Sequence, residues 1–149
     1  MAFDLKAATA LAERMMRTPQ VVALGFEFLG LEPSVAKVKA PYRADLVGDP
    51  ATGVIAGGVV TTLLDHTCGL AIKAADSAYA ASATLDLRID YMRPAQPRRD
   101  ILARAHCYKL THTIAFLRAV AYEVDPDDPV ATAQGVFVLS GAPPAGGSA

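Results

Sequence analysis

The run from Ala56 to Ala75 constrains this chain more than any other segment. It holds no proline, and Val59, Val60, Leu63, Leu64, Cys68, Leu70, Ala71 and Ile72 lie on nearly every side of a helical wheel. A helix that is apolar all round needs cover on all sides, so it belongs at the centre of a fold. It does not read as a membrane span. The longest uncharged stretch, Pro50 to Leu64, is broken by Pro50, Gly53, Gly57 and Gly58, whereas a span needs roughly 20 apolar residues. The cover must come from the rest of the chain. Its 149 residues, 52% of them hydrophobic, suffice for one domain with a sizeable core.

The flanking segments supply that cover as strands. Phe3 to Met16 places Leu5, Ala8, Leu11, Ala12 and Met15 at helical spacing and predicts an amphipathic N-terminal helix. From Leu24 the pattern turns extended: Phe26–Leu31 and Val35–Lys39 read as a hairpin, the second half alternating apolar and basic. Asp45–Gly53 reads as a loop, marked by Gly48-Asp49-Pro50 and Thr52-Gly53. After Asp76-Ser77, four strands are predicted at Ala83–Met92, Ile101–Tyr108, Ile114–Val124 and Val130–Leu139, with Arg93–Pro97, Lys109–His112 and Asp125–Pro129 as turns. Short turns favour antiparallel pairing. The expected architecture is α+β: a curled antiparallel sheet of about six strands wrapped round one central helix. One domain is expected over residues 1–140, with a Gly/Pro/Ala-rich disordered tail at 141–149. Open sheet edges make a dimer the expectation.

Charge and cysteine content exclude several functions. Fourteen basic against fifteen acidic residues leave a net charge of −1, without the basic excess that draws nucleic acid or anionic membrane. Cys68 and Cys107 show no pair spacing and no His partner, against a disulfide scaffold or a zinc site. Neither metal nor cofactor is expected. Residues 1–17 carry Asp4, Lys6, Glu13 and Arg14 and lack the apolar core of a signal peptide, so a soluble cytoplasmic protein is expected.

Two features of the central helix point to chemistry. Asp65 stands between Leu64 and His66 in the most apolar segment, where an unpaired buried carboxylate costs several kcal/mol. It reads as a general base or nucleophile, or else as a buried structural pair. Thr61 and Gly69 lie one turn away on either side, with Gly58 and Thr62 nearby, a stripe suited to lining a cavity. Gly57-Gly58 opens the same helix, where backbone N–H groups are free and the dipole favours negative charge, as an oxyanion requires. Eight residues separate Gly57 from Asp65, a rise of about 12 Å, too far for one helix to bring both to one carbonyl. Two antiparallel copies across a dimer do so. His66 reads as an interface or core residue, and His106 and His112 lack carboxylate neighbours. Arg93, Arg98, Arg99 and Lys109 flank turns, within the repertoire of phosphate contacts.

The run Thr52–Asp65, with Gly57-Gly58 and Asp65 inside it, followed by Thr84–Ala95, resembles the hotdog-fold thioesterases, and within them the phenylacetate-pathway acyl-CoA thioesterase type. The resemblance spans the chain from first strand to last. It implies a hydrolase of acyl-CoA thioesters, a homodimer or homotetramer with sites between subunits. The Gly57 amide would polarise the carbonyl, Asp65 of the facing subunit would activate water or attack, and Thr84 would orient the water. Gly58, Asp49, Thr61 and Arg93 are the implied substrate contacts. The family's usual His-Gly-Gly is Ala56-Gly57-Gly58 here, and its loop Asn or Gln is replaced in the region of Asp49 and Pro50. An acyl-CoA-binding protein without turnover, or an acyl-thioester hydratase or dehydratase, are the alternatives.

Overall fold

Asp4 starts the first helix, α1 (Leu5–Met15), by accepting the Ala7 N–H at 3.0 Å, an N-cap that satisfies one of the free donors of the first turn. Ala8 and Ala12 are its buried face. The chain does not turn extended directly. A second helix, α2 (Pro19–Leu24), intervenes, with proline at its first position and Gly25 closing it at φ 71°. The computed structural model describes residues 3–141, so the expected tail lies outside the described residues except for Gly141.

The expected hairpin forms as β1 (Glu27–Glu32) and β2 (Val35–Ala40). In and just around the segment predicted as loop, Asp45–Gly53, lie a 3₁₀ turn (Ala44–Leu46) and a small hairpin of β3 (Val47–Asp49) and β4 (Val54–Ile55). This hairpin delivers the chain to α3 (Gly57–Ala75). The Ala56 N–H donates to the Leu46 carbonyl at 2.8 Å, and Gly48 lies so close that a Cβ there would meet the Ala56 Cα at 3.3 Å. The remaining strands are β5 (Ala81–Tyr91), β6 (Ile101–Leu110), β7 (Ile114–Tyr122) and β8 (Ala131–Ser140). Six strands form one antiparallel sheet in the order β1-β2-β6-β7-β8-β5. A sheet of this kind wrapped round a central helix is the hotdog fold expected above.

The order corrects one expectation. β5 does not pair with β6, although only the segment from Met92 to Asp100 joins them; it pairs with β8 at the far edge. The backbone N–H groups of Met92 and Arg93 donate to the Val130 carbonyl, and the Arg98 N–H to the Gly53 carbonyl, which seats the crossing. The edge β5 is the most exposed strand. Leu85 is 59% and Tyr91 51% accessible.

Alternation along the inner strands sorts small residues toward the helix. Ala103, Ala105, Ala115, Ala119, Ala121, Ala131 and Ala133 are all buried, so the sheet approaches α3 closely. Leu63, Leu64, Leu70 and Ile72 fill the space between. Two polar side chains go under with them and are satisfied: the Thr67 hydroxyl donates to the Leu63 carbonyl at 2.6 Å, and Lys73 Nζ to the Tyr79 carbonyl at 2.5 Å. Leu64 has no accessible surface, so Leu64→Ala should cost about 3 kcal/mol of unfolding free energy, read as a lower denaturant midpoint at an unchanged slope.

Candidate active site

The sheet and α1 together cover the second half of α3, from Thr67 through Ala74, and leave one side of its first half open. Gly57, Gly58 and Thr61 are exposed there, and Thr62 and Asp65 half-buried. These positions follow the i, i+4, i+8 spacing of one helical face. The stripe ends where α1 covers it: a Cβ on Gly69 would meet the Met15 methyl at 3.3 Å.

Asp65 meets Thr84 at the closed end of that face. The Thr84 hydroxyl donates to Asp65 Oδ1 at 2.7 Å, so two of the expected catalytic residues, nineteen apart in the chain, are brought together. A β-bulge makes this possible. The register of β5 against β8 shifts between Thr84 and Asp86, leaving Leu85 as the extra residue. Without it, strict alternation would put Thr84 on the opposite face from Leu87, Ile89 and Tyr91. With it, all four share the face toward α3.

At the other end, the Gly57 and Gly58 N–H groups find no acceptor among the described residues, as expected of a helix start. A Cβ on Gly58 would meet nothing within 4 Å, so open space lies before these donors. Tyr91, a residue the sequence analysis did not select, closes the side next to Gly57. Its hydroxyl donates to the Gly57 carbonyl at 2.7 Å and stands 2.7 Å from the Thr61 hydroxyl. Thr61 Oγ1 is in turn 3.2 Å from the Gly57 carbonyl, and Thr62 Oγ1 donates to the Gly58 carbonyl at 2.9 Å. The phase shared with Leu87 and Ile89 was a signal for Tyr91, but only once the bulge is known. Beside Gly57 opens a cleft of about 470 Å³ with an apolar lining that includes Val54, Ile55, Val60, Met92 and Pro94.

Two other expected contacts are committed to the fold. Arg93 has five donors and five short contacts: Nε to Asp128 Oδ1, Nη1 to the Pro94 carbonyl and Glu123 Oε1, and Nη2 to Glu123 Oε2 and the Asp128 carbonyl, all between 2.6 and 3.2 Å. All five donors of Arg93 are engaged within the fold, while its side chain also lines the cleft beside Gly57. Asp49 accepts the Ala51 N–H at 2.9 Å and caps the turn between β3 and β4; among the described residues it meets neither Asp65 nor Gly57.

The remaining titratable residues stay outside the face. His66 Nε2 is shielded from water without a hydrogen-bond partner among the described residues, and burial lowers its pKa against an opposing effect of Asp65. Burial pushes the Cys68 thiol up to about 12 and the Cys107 thiol up to about 11, so neither is a ready nucleophile. Among the described residues, no cluster of three or more His, Cys, Asp or Glu is placed to hold a metal ion, and no helix is long and apolar enough to cross a membrane.

Comparison with known proteins bears on this geometry. The model of the thioesterase superfamily matches residues 52–130, which run from the turn between β3 and β4 to the residue before β8. A Halobacterium salinarum protein named for esterase activity is 30% identical over 116 residues, 75% of this chain and 76% of that one. Human acyl-coenzyme A thioesterase 13 is 35% identical over 66 residues, 44% of this chain and 46% of that one. The structure of a variant of the phenylacetic acid degradation protein PaaI from Thermus thermophilus superposes with a TM-score of 0.70 at 29% identity, covering 81% of this chain and 98% of that one.

The Arg93–Glu123 pair yields a pH prediction. Glu123, whose side chain is 3% accessible, also accepts the Gln96 N–H at 2.7 Å. The Arg93 hydrogen bonds hold its carboxyl below the usual range. A depressed folded-state pKa means the stabilisation is complete above the unfolded carboxyl's pKa and is lost as pH falls through the folded value. Thermal melts of the native chain should therefore fall on acidification below about pH 4. Glu123→Gln should melt lower at neutral pH and show a shallower acid-side decline.

Proposed function

The chain belongs to the thioesterase superfamily, and from that premise we propose that it hydrolyses acyl-CoA thioesters at a site shared between two copies of itself. The observation that carries this reading is the Thr84–Asp65 hydrogen bond on the same open helix face as two unpaired glycine amides. Thr84 occupies Oδ1 of Asp65 and leaves Oδ2 to take a proton from water. The water oxygen adds to the thioester carbonyl carbon, and the oxyanion forms against the Gly57 and Gly58 amides at the positive end of α3. Collapse breaks the carbon–sulfur bond, and the CoA thiolate leaves with the proton that Asp65 took up. The acyl group fits the apolar cleft beside Gly57. An imidazole before the glycines is not required for this, since the donors are backbone amides and Ala56 leaves them in place.

Two copies are needed because Gly57 and Asp65 stand eight residues apart on one helix, about 12 Å. The outer edge of β5, with Leu85 and Tyr91 exposed along it and Met92 just beyond, offers the pairing surface. Antiparallel addition of a second β5 would set the Asp65 of one subunit toward the amides of the other. The kinship with acyl-coenzyme A thioesterase 13 supports CoA esters as the substrate class.

Thiol release over a panel of short, medium, long and aryl acyl-CoAs tests the reading. Asp65→Asn conserves volume and should lower kcat by about a hundredfold or more while leaving the fold intact; wild-type turnover in that variant would overturn the role of Asp65. Gly58→Ala should also lose activity, because its methyl enters the open space before the amides. Mixing the two inactive variants should restore turnover in hybrid dimers that keep one intact site, and no recovery after subunit exchange would refute a shared site.

A further inference from the structure

Two positions of α3, its start and Asp65 at its middle, are tied to one strand. Thr84 holds Asp65, and seven residues along β5 Tyr91 holds the Gly57 carbonyl. The second tie has a chemical consequence. The carbonyl that Tyr91 engages and the Gly58 N–H belong to the same peptide group. A donor on a peptide oxygen draws electron density from its nitrogen and makes the N–H a stronger donor in turn. Tyr91 Oη donates to the Gly57 carbonyl at 2.7 Å and stands 2.7 Å from Thr61 Oγ1, which donates to the same carbonyl at 3.2 Å. The ring packs against Gly57, where a Cβ would touch the phenol at 3.6 to 3.7 Å, so the hydroxyl has little freedom to turn away. The neighbouring peptide is loaded in the same sense, its Ala56 carbonyl accepting from the Val59 and Val60 amides at 3.0 and 3.4 Å.

We propose that Tyr91 is a positioning residue for the oxyanion donors: its hydroxyl fixes the Gly57–Gly58 peptide and strengthens the Gly58 amide as a donor to the developing thioester oxyanion. This rests on the reading of the site given above and adds a residue outside the set Asp65, Thr84 and Gly57. The ring of Tyr91 lines the cleft given to the acyl group, and the role proposed here belongs to its hydroxyl alone. It acts through the peptide, so its removal should weaken the transition state more than the bound ester.

Tyr91→Phe keeps the ring and deletes only the hydroxyl. With an acyl-CoA that the wild type cleaves, kcat should fall about tenfold while KM stays within about twofold. In selectively labelled protein, the Gly57 carbonyl carbon and Gly58 amide nitrogen resonances should shift, while glycines remote from the site, such as Gly25 and Gly135, stay in place and report an intact fold. Unchanged kcat beside an inactive Asp65→Asn would overturn the role of Tyr91 and leave the hydrolase reading standing. A raised KM at constant kcat would overturn it too, since that pattern belongs to packing of the bound ester. Should the wild type cleave no thioester, the hydrolase reading falls by itself. The Tyr91 link would then be judged on the two resonances, and their failure to move would overturn it.

Discussion

A helix with apolar residues on most sides must be wrapped, and the rest of this structure follows from how completely it is wrapped. The sheet and α1 cover the second half of α3 and leave one side of its first half open. Small inward residues, chiefly alanines on β6, β7 and β8, let the sheet come close enough to exclude water where it covers. Burial of this kind is the dominant favourable term in folding, and here it also selects the location of polar chemistry. Gly57, Gly58, Thr61 and Asp65 occupy the side of the helix that the sheet does not reach. A single helix thus serves as core at one end and presents an open polar face at the other.

The same division explains why neighbouring polar groups have different fates. Thr67 and Lys73, on the covered half, spend their donors on backbone carbonyls. Asp65, on the open half, receives one hydrogen bond from Thr84 on an exposed edge strand. Arg93 lies near the cleft in sequence and in space, yet Glu123 and Asp128 take its donors and make it a brace for the crossing between β5 and β6.

The central helix and the four later strands were legible in the residues, because periodicity is a local signal; Asp65 and the glycine pair stood out as candidates because a lone carboxylate in an apolar run is local too. Sheet order was not. Alternation tells which face a residue takes but not which strand lies beside it, and the β5–β8 pairing joins segments some fifty residues apart. The helix α2 was missed because six residues carry too little periodic pattern to outweigh the apolar run beside them. Tyr91 and the saturation of Arg93 depend on contacts with Gly57, Glu123 and Asp128, from 30 to 35 residues away. Tertiary contacts of that range leave no trace in local composition.

The bulge at Leu85 has a consequence for how this chain can change. Sides of a strand alternate with a period of two, so the bulge sets the parity that lets Thr84 and Tyr91 face the same helix. While the bulge is kept, removal of one residue between them sends one anchor to the outer face; loss of Leu85 itself, the extra residue, leaves a regular strand on which both anchors still face the helix. A single-residue change of length in this stretch is therefore compatible with both contacts only where it removes the bulge. The turns at 50–53 and 124–129 carry no such parity and can drift by single residues, so insertions and deletions among related chains should gather there and avoid β5.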